Sequence, residues 1–68
     1  PDEGRIRVQL KNDYRADIVT LFDMSGKSIV VKKKQSGNFH IGSNLHKGIY
    51  TVSLERNKEV YSQKVIIP

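Results

Sequence analysis

The feature that most constrains this chain is a two-residue alternation of apolar and polar side chains, recurring along most of its length. Successive side chains of a strand point to opposite faces, so alternation marks a strand with one wet face and one buried face. In residues 5–11, Arg5, Arg7, Gln9 and Lys11 alternate with Ile6, Val8 and Leu10. Asn12 and Asp13 interrupt that pattern, because both side chains compete for backbone hydrogen bonds and favour turns. Residues 17–24 are apolar on both faces, which predicts a central strand or one packed against a second sheet. No window of about eleven residues carries a helical period, so little or no helix is expected.

Turn chemistry divides the remainder. Ser25-Gly26-Lys27 reads as a tight turn, with Asp23 placed to accept hydrogen bonds from its amides. Residues 28–34 return as a third strand around Ile29, Val30 and Val31, and residues 35–38 turn again. A short strand follows over Phe39, His40 and Ile41, then an irregular segment, residues 42–47, anchored by Leu45. Residues 48–54 form a strong strand with Tyr50, Val52 and Leu54 on one face. Residues 55–58 turn, residues 60–67 form the closing strand, and Pro68 has no N–H with which to extend a ladder. Six short strands at this spacing predict an all-β sandwich or small barrel.

Sixty-eight residues make a single domain, which buries only about 60% of its unfolded surface and leaves no room for a cleft between lobes. With no cysteine, neither a disulfide framework nor a thiolate metal site can form. Net charge is +5, from twelve Lys and Arg against seven Asp and Glu, a bias toward acidic partners that does not choose among them. No apolar run reaches the roughly 18 residues of a membrane helix. The opening Pro1-Asp2-Glu3-Gly4-Arg5 lacks a basic segment followed by an apolar one, so the chain is expected to be cytoplasmic or a fragment of a longer protein.

No catalytic constellation emerges, and no cofactor is expected. His40 and His46 are six apart, short of the three or four ligands of a zinc site. Ser25 and Ser36 stand beside glycines in turns rather than on a strained nucleophile elbow. Asp13 and Asp17 fall in a turn-to-strand segment and need not face each other. The run Lys32-Lys33-Lys34 cannot hide three successive side chains, so its strand leaves the core there or lies at a sheet edge, where lysines discourage strand-to-strand aggregation. The aromatics Tyr14, Phe22, Phe39, Tyr50 and Tyr61 fall mostly within apolar strand patterns, as core residues do. Charge and aromatics are not interleaved within one strand, so nucleic acid is not an expected partner.

Three ordered segments carry a family resemblance. D-I-V-T-L-F-D-M-S-G-K-S-I-V (residues 17–30) resembles the hairpin motif of type IX secretion C-terminal sorting domains, with its aromatic-Asp-x-x-Gly-Lys turn. L-H-K-G-I-Y-T-V-S-L (residues 45–54) resembles that family's Leu-x-x-Gly-x-Tyr motif, and Y-S-Q-K-V-I-I-P (residues 61–68) its terminal strand. Pro1-Asp2-Glu3-Gly4-Arg5-Ile6 matches the tail of the family's Pro-Asn-Pro opening, without the first half. The resemblance covers essentially the whole chain and implies an immunoglobulin-like β-sandwich of about six to seven antiparallel strands.

It further implies a non-catalytic address tag behind a larger cargo protein of Bacteroidota, whose own signal peptide lies upstream. The implied partners are the type IX translocon with its shuttle components and a sortase-like peptidase, which can attach the cargo to lipopolysaccharide. The cargo passes through the periplasm and ends secreted or on the cell surface. Five residues are the candidates for recognition by the translocon. Gly48 supplies a positive φ or a close backbone approach at its strand start, and Tyr50 anchors that strand. Lys64 projects opposite to Val65 and Ile67 on the closing strand, which at a sheet edge would offer β-augmentation. The alternative is an immunoglobulin-like or carbohydrate-binding accessory module of a secreted enzyme, which an exposed aromatic strip on one sheet face would favour.

Overall fold

The structure, a computed structural model, describes residues 4–11 and 13–68. The Pro1-Asp2-Glu3 part of the N-terminal match and the break at Asn12 lie outside the described residues. Six antiparallel strands follow in chain order: β1 (Ile6–Gln9), β2 (Arg15–Phe22), β3 (Ser28–Ser36), β4 (Asn38–Ile41), β5 (Gly48–Arg56) and β6 (Glu59–Ile67). They form a four-stranded sheet, β3-β2-β5-β6, and a two-stranded sheet, β1-β4. The described residues contain no helix, and the expected all-β sandwich is what the chain forms.

The core lies between the sheets and follows the alternation. Val19 and Leu21 of β2 and Tyr50 and Val52 of β5 face Ile6 and Leu10 at β1 and Ile41 of β4, all buried. Val19, Leu21 and Ile41 are fully enclosed. The opposite faces of β1 and β4 carry Arg7 paired with His40 and Gln9 paired with Asn38. One polar face and one apolar face is the pattern an antiparallel sheet needs when water lies on one side.

Strand β2 is central, between β3 and β5, as its two apolar faces predict. Strand β3 is an edge strand, which resolves the lysine run: Lys32 is half-buried beside Val19, while Lys33 and Lys34 are exposed. Lys34 also has φ of 59°, a kink that interrupts the regular pleat of the edge. Residues 35–38, expected as a turn, instead run on in strand around the single residue Gly37, where the chain leaves one sheet for the other. The Leu10 N–H donates to the Gly37 carbonyl at 2.9 Å and ties that crossing to the end of β1.

The turn expected over residues 55–58 is narrower. Asn57 and Lys58 alone connect Arg56 to Glu59, both with positive φ, at 50° and 68°. That is the two-residue hairpin connection whose twist matches its flanking strands. The Asn57 N–H also donates to Asp17 Oδ2 at 3.1 Å, fixing the hairpin against the start of β2. At the other end Gly4, with φ of 71°, accepts from the Leu45 N–H at 3.0 Å. A Cβ at Gly4 would meet the Leu45 backbone, with its carbonyl oxygen 2.7 Å away, so a side chain there would drive the opening segment off the loop.

Asp23 organises the β2–β3 turn as its position predicts. Its Oδ1 accepts from the Ser25 hydroxyl at 2.7 Å and from the Ser25 and Lys27 amides, each at 2.9 Å. The Ser25 hydroxyl first, then the Lys27 and Ser25 amides with the Lys27 charge, hold the carboxyl below its ordinary range. A carboxylate whose folded pKa is depressed stabilises the fold above its unfolded pKa of about 3.9, and that contribution is lost as pH falls through the folded value. An NMR titration of the Asp23 carboxyl is expected to give a midpoint below about 3.9. Asp23→Ala is expected to speed amide exchange at Ser25 and Lys27 at neutral pH; unchanged exchange would show that the carboxylate does not hold the turn.

Candidate functional site

The five recognition candidates lie at the junction of β5 and β6, but not on one face. Gly48 pairs with Ile67 and Tyr50 with Val65, so these four share the inner face of the four-stranded sheet. Tyr50 is 8% exposed, and its hydroxyl donates to the His46 carbonyl at 2.7 Å, fastening the irregular loop to the core. Val65 and Ile67 are half-buried against the same core. Gly48 has φ of 156°, and a Cβ there would meet only the Tyr50 ring, at 3.9 Å. Of the two reasons expected for this glycine, close backbone approach therefore does not apply.

Lys64 lies on the opposite face, paired with Thr51 and exposed. Ile66, two residues on, shares that face and is 70% exposed. Ile49 pairs with Ile66 at the same end, and Phe22, Met24, Ile49 and Lys64 border a shallow depression of about 350 Å³. Sequence reasoning singled out Lys64 and passed over Ile66, although the period of two that placed the lysine outward also places Ile66 beside it. Val60, Val31 and Ile29 are further exposed aliphatics on this outer face. Phe22 is the one aromatic among its positions, so the face is aliphatic rather than the aromatic strip that a sugar binder would present.

Strand β6 is an edge strand, paired with β5 alone, and it is the most exposed of the six. Tyr61, one of five aromatics expected to be mostly core residues, is 56% exposed although it faces inward. The two-stranded sheet does not extend over it. Its hydroxyl donates to Glu59 Oε2 at 2.9 Å, and that hydrogen bond, with the glutamate charge, pushes the phenol pKa up.

His40 and His46 lie on β4 and in the loop before β5, and no group of three or more acidic, histidine or cysteine side chains converges among the described residues. No described helix is long and apolar enough to cross a membrane. A family model described as secretion system C-terminal sorting domain matches residues 1–68. No curated protein and no solved structure matches the chain.

Proposed function

Because the chain belongs to the secretion system C-terminal sorting domain family and is a C-terminal signal for type IX secretion, we propose that β6 is the surface the translocon reads. The observation that carries this reading is the position of β6: an exposed edge strand whose outer face joins Lys64 to Ile66 and Ile49. An edge strand offers unpaired backbone groups for β-augmentation, and alternate side chains supply specificity. Lys64 and Ile66 are the outward contacts, Val65 and Ile67 seat the strand, and Gly48 and Tyr50 hold β5 as its template. The chain acts as one domain behind a cargo, without catalysis of its own or a cofactor.

The signal sends its cargo out of the cell or onto its surface. We place the fusion in the periplasm during transit, with shuttle components delivering it and a sortase-like peptidase removing the tag, with attachment of the cargo to lipopolysaccharide as one fate. The test is fusion of the chain to a periplasmic reporter in a type IX-competent host. The intact chain is expected to export the reporter, and a chain lacking residues 61–68 to leave it inside. Lys64→Ala is expected to cut export at least severalfold while circular dichroism stays unchanged, since Lys64 is exposed. Full export by folded Lys64→Ala and Ile66→Ser variants would remove β6 as the surface that is read.

A further inference from the structure

The two sheets are unequal, and the difference falls at one place. An immunoglobulin-like sandwich sets four strands against three, whereas here four face two. The hairpin half of the inner face of β6 is therefore open to water, with Tyr61 and Gln63 exposed although Gln63 pairs with the buried Val52 of β5. Between β6 and the free edge of β1 runs a groove of about 310 Å³ with Val8, Val52, Leu54 and Val65 in its lining. It continues into a second depression of about 590 Å³ bordered by Tyr14, Arg56 and Tyr61.

The backbone of β1 is oriented for pairing along this groove. The Leu10 N–H points to the β4 side, toward Gly37. Alternate residues of an antiparallel strand direct their N–H and C=O groups to opposite sides. Val8 and Ile6 therefore bond toward β4, and the backbone groups of Arg7 and Gln9 point into the groove. The five residues from Ile6 to Leu10 that border it span roughly 15 Å at a strand's rise. At the far end the Tyr14 hydroxyl is buried and finds no hydrogen-bond partner, with the Arg56 guanidinium 5.1 Å above its ring.

We propose that this groove takes an extended segment of an acidic partner protein as a third strand beside β1. The committed occupant is a strand with apolar side chains at alternate positions and carboxylates at its ends. The apolar side chains would cover Val8, Leu54 and Val65, and the carboxylates would meet Arg7, Lys11 and Arg56. The charge of the groove selects this occupant. Its lining includes Arg7, Lys11 and Arg56 and no Asp or Glu, and Glu59 beside it is engaged by Tyr61. A second copy, itself at +5, would bring like charge to like charge.

The test uses the isolated chain, so its outcome is separate from that of export. The probe is a synthetic peptide of about seven residues, alternating valine and threonine between terminal glutamates. It is expected to shift the amide resonances of Arg7, Gln9, Tyr61 and Gln63 and to slow hydrogen exchange at Arg7 and Gln9. A Lys11→Glu, Arg56→Glu double variant is expected to weaken the glutamate peptide at least about tenfold and to favour a lysine-ended one. Gln9→Pro, which edge strands tolerate, removes one groove-facing donor and is expected to weaken both. No binding at millimolar peptide overturns the proposal. So do shifts confined to the β3 edge or to the outer face of β6, equal binding of the lysine-ended peptide, or dimers of the chain that bury this groove.

Discussion

Leu21→Ala is expected to remove a large share of the folding stability of this domain. Leu21 is fully enclosed, and it lies between Val30 and Val52 on the inner face of the central strand. Its side chain also borders the β4–β5 loop, where a Cβ on Gly42 would come within 3.2 Å of Leu21 Cδ2. Truncation therefore empties space shared by both sheets and the loop, in a core too thin to collapse around it. Such cavities cost about 3–5 kcal/mol. A 68-residue domain holds roughly 3–10 kcal/mol in total at the usual stability per residue. Urea unfolding followed by circular dichroism measures the difference directly. A loss under about 1.5 kcal/mol would mean that the site repacks and that the two sheets do not depend on this contact. Leu21→Met, which conserves volume, is expected to cost less than about 1.5 kcal/mol in the same assay.

That a residue such as Leu21 lies at the centre was legible without coordinates, and the reason is physical. Residues 17–24 are apolar on both faces, the pattern of a central strand or of one packed against a second sheet, and β2 is both. The lysine run likewise implied a strand that leaves the core or lies at an edge, and β3 is an edge strand. What alternation cannot report is which strands share a sheet. The crossing at Gly37 exchanges sheets within a single residue, so a turn was expected where the chain runs on in strand. Asn57-Lys58 lacks the glycine that usually announces a two-residue hairpin, so residues 55–58 read as a wider turn than the two residues that form it.

Tyr61 marks the deeper limit. Its parity with Gln63 and Val65 places it on the inner face, but only the pairing of the opposite sheet decides whether an inner face is covered. The same holds for the candidate site. Alternation separated Lys64 from Val65 and Ile67 correctly, yet the patch around Lys64 depends on Ile49 from another strand. Pairing supplies that neighbour, and pairing is a long-range property that a local pattern does not contain.

Tyr50 offers the sharpest separation of structure from recognition within the family motif it belongs to. Tyr50→Ala is expected to cost about 3–5 kcal/mol, the range for truncating a large buried aromatic, and to lower export in proportion to the folded signal that is lost. Tyr50→Phe keeps the ring and loses only the hydrogen bond from its hydroxyl to the His46 carbonyl. That bond joins the core to a loop whose carbonyl can turn to water, so its loss is expected to cost about 1 kcal/mol. Because the ring faces inward and is 8% exposed, no partner can touch much of it. Export by Tyr50→Phe is therefore expected to stay near that of the parent, in contrast to Lys64→Ala. Paired urea titrations and reporter assays on both variants decide the matter. A Tyr50→Phe variant that keeps its stability but loses export would make the hydroxyl, or the His46 loop it holds, part of what the translocon reads. Loss of export in proportion to loss of stability leaves Tyr50 as scaffold and the outward residues of β6 as the signal.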